Sequence, residues 1–300
     1  MTTTRKKTID SLSRIINTKS AQFTPKAKLL GRYILDHPHK AVFMTTRELA
    51  ATVGTSEATV VRFVRNLGYS SYSEFINHLR RRIDSELTLM DRNRLAEADD
   101  VGGSAGLDNI VNQEIENLKM LQKSIVPEQA DKIVKLLGQS EFVYVVGSRL
   151  SYAPAYYMGW ALTKIRKNIH ILKGSDRTAV DWLTIASPDS TVVIVATSRY
   201  PNELIRIGKM IRRQGLTLIL LTDSTSCPLV HFSHHSLVSP LQAIPYIGSP
   251  TSLTCLIKFL VHAVAEITPD EALTAHQEKL EQAYRENDIL FNFEKKVPLF

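Results

Sequence analysis

The sequence predicts a two-part protein. An all-helical N-terminal helix-turn-helix domain is followed by a three-layer α/β domain with a mainly parallel sheet. Three observations carry this reading. The chain has 300 residues, about twice the size of one ordinary domain. Its net charge of +7 is unevenly placed: residues 1–90 hold 15 Lys+Arg against 7 Asp+Glu (+8), and the other 210 hold 22 against 23 (−1). Apolar residues recur at helical spacing in the first third, whereas beyond residue 140 short β-rich runs alternate with helical patterns, as when parallel strands are joined by crossover helices. A basic module joined to a neutral one suits a polyanion-binding domain coupled to a domain with another task; a solvated basic face is the plain alternative. The expected divisions are 1–90 for the helix-turn-helix domain, 91–106 for a linker, 107–290 for the α/β domain and 291–300 for a C-terminal tail.

In the first domain Ile9, Leu12, Ile15 and Ile16, then Leu29, Leu30, Tyr33 and Ile34, keep three- and four-residue spacing. His37-Pro38 ends the second of these helices, because the residue before proline is pushed out of helical geometry. Thr45 with Glu48 makes a capping box at the start of TRELAATV. Gly54 breaks that helix, Thr55 or Ser56 caps the next, and ATVVRFVRNL runs to Gly68, a natural residue to end on.

From Thr45 to Phe75 this is the anatomy of two helices crossed by a short turn. Leu49, Ala50 and Val53 on the first helix and Ala58, Val61, Phe63 and Val64 on the second supply the packing positions. Ser56, Glu57, Thr59 and Arg62 then stand at the end of the second helix that enters a major groove. Arg62 is assigned to base reading, because a guanidinium donates two hydrogen bonds to guanine O6 and N7. Arg65 and Tyr69, with Ser70 and Ser71, fall nearer the phosphate backbone, and Thr45 and Thr55 complete the DNA-binding set. The implied partner is double-stranded DNA, with a plain helical hairpin as the alternative.

The stretch DRNRLAEADDVGGSAG reads as a linker or a weakly helical connector. Leu107 to Ile125 then carries Ile110, Val111, Ile115, Leu118 and Leu121 on one stripe, a helix that either packs on the second domain or pairs with its copy in a dimer.

In the α/β domain the expected strands are Phe142–Val146, Ile169–Leu172, Thr191–Ala196, Leu216–Thr222 and Ser236–Val238. The expected helices are Tyr152–Lys167, Thr178–Ile185, Asn202–Gln214 and Ser252–Thr268. Several strands are apolar throughout, as when helices cover both faces of a sheet. In such sheets ligands settle beyond the carboxyl ends of the strands, and two strand ends carry hydroxyl residues. GSRLSYA presents Ser148, Arg149 and Ser151; ATSRYPNEL presents Thr197, Ser198 and Arg199 before a helix that Pro201 suits. Hydroxyls and free N–H groups at a helix start favour an anion, and arginine adds charge complementarity, although a serine there is often only a cap.

Other features read more plainly. Ser249, Thr251 and Ser252 precede the last large helix and offer a third side to a pocket. Asp176, Arg177 and Asp181 border the same region or form a solvated face. His231, His234 and His235 lack a completing ligand pattern and suit surface or packing roles, so no metal site is assigned. Tyr156, Tyr157 and Trp160 suit packing on the sheet. Cys255 reads as a small core residue, and two cysteines are too few for a disulfide framework. No run approaches 18 apolar residues and MTTTRKKTID has no apolar stretch after its charges, so no membrane is implied and the chain is placed in the cytoplasm.

TTRELA, GTSEATVVRFVRNLGY and YSEF together resemble the N-terminal signature of the RpiR family of bacterial transcription regulators, with Thr55 where valine is usual. Residues 125–265 resemble the SIS (sugar isomerase) domain that these regulators carry, in the order of strand, serine loop and helix, and in ILLTDSTSCPLVHFSHHSLVSP. The resemblance implies a DNA-binding transcription regulator whose SIS domain binds a phosphorylated sugar or sugar acid, with Ser148, Ser151, Thr197 and Ser198 as phosphate partners. It also implies a homodimer or homotetramer formed through the SIS domain, and no cofactor. Arg149 stands where the family usually has a second glycine, and SRYPNE replaces the enzyme-type Ser-x-Ser-Gly-Glu-Thr. The loop glutamate of the enzymes is thus absent, and Glu203 is expected to face along or out of its helix, so no catalytic residue is assigned. The alternatives are a phosphosugar isomerase with an accessory helical domain, and a sugar-phosphate-binding protein that controls a partner without touching DNA; the charge split and the intact helix-turn-helix pattern weigh against both.

Overall fold

The computed structural model describes residues 14–19, 23–83, 103–239 and 248–290, together with Leu12, Thr88, Met90 and Asp91. Ile9, most of the expected linker and the tail 291–300 lie outside the described residues. The chain falls into two compact units, one ending at Lys119 and the other beginning at Met120, with Gly248 and Ser249 grouped with the first.

In the first unit, residues 14–19 are helical and precede α1 (Pro25–Asp36), α2 (Pro38–Ala41), α3 (Thr46–Val53), α4 (Glu57–Leu67) and α5 (Tyr72–Ile83). The start and stop signals act as their chemistry dictates. The Thr24 hydroxyl accepts from the Ala27 N–H with Pro25 in the first turn. Thr45 and Glu48 form the reciprocal capping box of α3. Gly54 (φ 69°) and Gly68 (φ 106°) end α3 and α4 in left-handed geometry. The core is built on Leu30, Ile34, Leu49, Phe63 and Phe75, with the Phe23 and Phe63 rings 5.2 Å apart. On α4 the buried stripe is Val60, Phe63, Val64 and Leu67. This corrects the packing set: Ala58 is exposed and Val61 half-buried, because Val60 and not its neighbours lies in helical register with Phe63 and Val64. Leu29 is likewise exposed, with Ala27, Leu30 and Ile34 facing inward.

The long helix α6 (Gly103–Ser124) starts before Leu107. Helix α7 (Pro127–Gln139), which periodicity alone did not single out, leads to the sheet. The remaining elements are β1 (Val143–Gly147), α8 (Tyr152–Leu162), β2 (Ile169–Lys173), α9 (Thr178–Thr184), β3 (Thr191–Ala196), α10 (Asn202–Gln214), β4 (Thr217–Thr222), β5 (His235–Val238), α11 (Thr251–Ile267) and α12 (Asp270–Glu286). Helix α12 was also unanticipated, and it has no buried residue to mark it.

The five strands pair in parallel in the order β2-β1-β3-β4-β5. Alternate residues feed two cores. Val143, Val145, Val193, Val195, Ile219 and Leu221 meet α7, α8 and α11, while Tyr144, Val146, Val192, Ile194, Leu218 and Leu220 meet α9 and α10. Both faces are therefore covered, which is why the strands are apolar at consecutive positions. The chain runs outward from β1 to β2 and then returns to the other side of β1 for β3. The reversal point, where open parallel sheets bind ligands, thus lies between the ends of β1 and β3.

Some expected packing does not occur. Tyr156 and Trp160 are about half exposed on the outer side of α8, while Met158 and Leu162 face the core. Cys255 is exposed on α11, whereas Cys227 is buried and its thiol is pushed up to about 11 by that burial. No single helix among the described residues is long and apolar enough to cross a membrane.

Arg166, four residues beyond the end of α8, binds carbonyls. Its guanidinium donates to Leu137 O, Gly138 O (3.0 Å), Ser140 O and Glu141 O (3.1 Å), where α7 leaves its last carbonyls without helical partners. Arg166→Ala is expected to cost about 1–3 kcal/mol in urea unfolding of the second unit, since three part-buried carbonyls and an exposed one lose a charged donor. A pH dependence follows from two histidines. His170 is stacked on Tyr144 (4.9 Å) beside Trp182, and burial holds its pKa below the ordinary value; burial and the neighbouring Arg212 do the same for His234. The unfolded chain then binds more protons just below the ordinary histidine range, so stability is full above about pH 6.5 and falls as pH drops through that range. Thermal melts between pH 8 and 5.5 check this, and His170→Phe should flatten part of the decline.

Candidate functional site

Two places concentrate chemistry, one in each unit. In the first, α4 presents an exposed face whose residues divide sharply by what already holds them. Thr45 is committed to its capping box, its N–H donating to Glu48 at 2.8 Å, and that contact holds the Glu48 carboxyl below the usual range. The Thr55 Oγ1 is buried and has no hydrogen-bond partner among the described residues. Ser56 caps α4 by accepting from the Thr59 N–H (3.3 Å), and the Ser56 and Thr59 hydroxyls lie 2.9 Å apart. Glu57 accepts from the Thr46 hydroxyl (2.8 Å) and so ties the start of α4 to the start of α3. Tyr69 packs its ring against Phe75 and His78, each 5.4 Å away. Arg62 and Arg65 remain exposed on α4, and neither makes a hydrogen bond or ion pair with a described residue. Lys19 closes the far end of the helix by donating to Asn66 O at 2.8 Å. The arrangement can offer guanidinium donors and a capped helix start to a polyanion, with the acidic residues of the region tied into the scaffold.

In the second unit the loops after β1 and β3 meet. The Ser151 hydroxyl accepts from the Thr197 N–H (3.1 Å) and lies 3.0 Å from the Thr197 hydroxyl, a direct cross-link at the strand-order reversal. Gly147 makes the approach feasible: a Cβ there would stand 2.5 Å from the Ser151 carbonyl oxygen and 2.6 Å from the Ala155 Cβ. Each loop is also held by a carboxylate. Ser148, fully buried, donates to Glu203 Oε1 at 2.6 Å; that bond, the Glu203 backbone N–H and the nearby charges of Arg149 and Arg206 keep the Glu203 carboxyl below its usual range. Glu203 thus faces the first loop, which corrects the expectation that it points along or out of its helix. As the second residue of α10 it lies over the adjacent strand end. In the second loop the Ser198 N–H (2.6 Å) and hydroxyl donate to Asp223 Oδ2, and the Tyr200 hydroxyl donates to Asp223 Oδ1 (3.0 Å).

Sequence reasoning missed Asp223 and Tyr200. Asp223 was visible within Thr-Asp-Ser at the end of β4, but nothing local said that it reaches the neighbouring strand's loop. Arg149 and Arg199 are exposed and both adopt left-handed backbone, φ 53° and 65°, a conformation that costs a residue with a Cβ about 1–2 kcal/mol. Thr251 is the exposed first residue of α11, and Ser249 is half-buried two residues before it. Ser252 is buried and accepts from the Ser239 hydroxyl at 3.1 Å. Asp176 accepts from the Thr178 N–H, and Arg177 and Asp181 are exposed. No group of three metal-ligating side chains occurs among the described residues.

Comparison with known proteins matches both places. A family described as "Helix-turn-helix domain, rpiR family" matches residues 11–86, and the SIS domain matches residues 136–267. A helix-turn-helix-type transcriptional regulator of Providencia stuartii is 26% identical over 197 residues, covering 64% of this chain and 67% of that protein. YbbH of Bacillus subtilis, also named as such a regulator, is 22% identical over 212 residues, covering 70% and 72%. Among solved structures, Vibrio vulnificus NanR complexed with ManNAc-6P aligns with TM-score 0.55 and 21% identity over 92% of this chain and 98% of that one. The sugar isomerase domain of an RpiR transcription factor from Sphaerobacter thermophilus aligns with TM-score 0.56 and 23% identity over 60% and 99%.

The inward hydroxyl of Thr55 yields a discriminating variant. Thr55→Val should stabilise the first unit by about 1 kcal/mol, since it removes a buried polar atom without a partner. DNA affinity should stay at the wild-type level in the same preparation. Weaker DNA binding with no gain in melting temperature would instead make Thr55 a DNA contact.

Proposed function

Because the chain belongs to the RpiR family of helix-turn-helix transcription regulators and carries an SIS domain, we propose that its second unit binds a phosphorylated sugar or sugar acid and that this binding alters the hold of α4 on an operator. The observation that carries the sensor half is the Ser151–Thr197 cross-link, which brings two loops bearing hydroxyls and arginines together at the reversal point of the sheet. The ManNAc-6P bound to the Vibrio vulnificus relative supports a ligand of this class. On the DNA side Arg62 reads a base edge, Arg65 meets the backbone, and the capped start of α4 fixes register. The functional division follows residues 1–90 for DNA binding, 91–106 as connector and 107–290 as sensor. Pairing through the SIS unit places two α4 helices on two half-sites, which multiplies affinity without new contacts. An effector shifts DNA affinity only by binding the competent and incompetent arrangements unequally.

Glu203 gives the isomerase reading its one specific support, since it faces the loop where a sugar would lie. The same geometry weakens that reading. A general base works best with a pKa near the working pH, and here the Ser148 hydrogen bond holds the carboxyl below even its ordinary range.

A gel shift with the upstream region of the protein's own operon tests the proposal: retardation that weakens steeply with salt is expected, and none at low salt would sink the regulator mechanism. In the same assay Arg62→Ala should relax discrimination at one base pair by about 1–3 kcal/mol. A thermal-shift screen of sugar phosphates should raise the melting temperature for one class, because a ligand of the folded state stabilises it. That compound should then change the gel shift.

A further inference from the structure

The surface of α4 divides by angle as well as by partner. At about 100° per residue, the buried stripe of Val60, Phe63, Val64 and Leu67 points one way, and the residues directly opposite are Ala58, Arg62 and Arg65, at i, i+4 and i+7. All three are exposed. The other polar residues of the first turn stand at the flanks and are already occupied. Glu57 accepts from the Thr46 hydroxyl, and the Ser56 and Thr59 hydroxyls lie 2.9 Å apart while Ser56 caps the helix. Arg62 and Arg65 make no hydrogen bond or ion pair with a described residue. The groove-entering end of α4 therefore presents, on its outermost line, a methyl group followed one turn later by a guanidinium. The size of that first residue matters. A helix with its side chains is about 10–12 Å across and the major groove is about 12 Å wide, so the leading residue sets how closely the backbone approaches the base edges. Alanine permits the closest approach of any residue that has a Cβ, and its methyl is a group that packs on the 5-methyl of thymine.

We propose that Ala58 is a base-reading residue of α4: its methyl packs on the 5-methyl group of one thymine, and its small size sets the depth at which Arg62 meets its guanine. The inference rests on the DNA-binding reading above, and it moves Ala58 from the packing set to the groove-facing line. Ala58 and Arg62 lie about 6 Å apart along the helix axis, and base pairs follow one another at about 3.4 Å. The thymine therefore falls within about two base pairs of the guanine that Arg62 reads.

The probe is a duplex that the full wild-type chain selects from a randomised DNA pool, remade with each thymine in turn replaced by uracil, which lacks only the methyl group. In binding titrations one such replacement should weaken the wild type about fourfold, as expected for one methyl-sized group no longer buried. Ala58→Gly should bind the thymine and uracil forms of that duplex equally. This ratio is internal to the variant, so any loosening of the helix by glycine cancels. Ala58→Leu keeps helix propensity at an exposed position; it should melt with the wild type and bind the selected duplex at least tenfold more weakly, because the larger side chain holds α4 off the bases. The proposal is overturned, with DNA reading by Arg62 left intact, if no uracil replacement affects the wild type or if Ala58→Gly still tells thymine from uracil at the same position. Wild-type affinity in Ala58→Leu, or a lowered melting temperature there, overturns it as well. If the wild type selects no sequence from the pool, the proposal and the operator reading fall together.

Discussion

The contact between Ser151 and Thr197 is the constraint on which the second unit's chemistry depends. Parallel pairing of β1 with β3 puts two strand ends side by side, and the chain's reversal at that point leaves no helix between them. The loops must then bond to each other, to water or to a ligand. Here they bond to each other through a hydroxyl and a backbone N–H, and that bond requires Gly147, because any Cβ would collide with the turn that carries Ser151. A glycine, a serine and a threonine from two distant segments thus decide where the two loops meet.

Around that contact the polar groups form two layers with different tasks. The inner layer pairs serines with carboxylates, Ser148 with Glu203 and Ser198 with Asp223, and its cost of burying polar groups is offset by charge-assisted hydrogen bonds. The outer layer is cationic: Arg149 and Arg199 make no hydrogen bond or ion pair with a described residue, while the charge of Arg149 is felt by Glu203. The same division appears on α4, where Glu57 is tied to Thr46 while Arg62 and Arg65 stand free of described partners. In both units acidic side chains hold the backbone and arginines face outward, an electrostatic arrangement suited to anionic partners in each case.

Much of the fold was legible in the sequence because it rests on local rules. The capping box at Thr45, the glycine stops at Gly54 and Gly68, and the apolar strands covered on both faces all follow from residue type and spacing. The errors have physical reasons too. Helix α12 buries no residue, so no apolar stripe announced it. Ala58 and Val61 were assigned to the core because several apolar residues in ATVVRFV compete for one stripe, and only the packing partner selects Val60. Cys255, Tyr156 and Trp160 are apolar enough for a core but fall on the outer faces of helices whose inner faces are already filled.

The sequence by itself determined the order of the five strands and of the helices between them, the charge division and the position of two hydroxyl- and arginine-bearing loops, since each depends on neighbours within a few residues. Tertiary structure alone decided what those loop residues do. Whether Glu203 faces solvent or Ser148, whether Asp223 reaches Ser198, and whether Arg149 and Arg199 take left-handed backbone are set by the pairing of strands far apart in the chain. The physical reason is range: caps, turns and stripes are fixed within one or two helical turns, whereas a hydrogen bond across 55 or 25 residues of chain exists only once the sheet has brought its ends together.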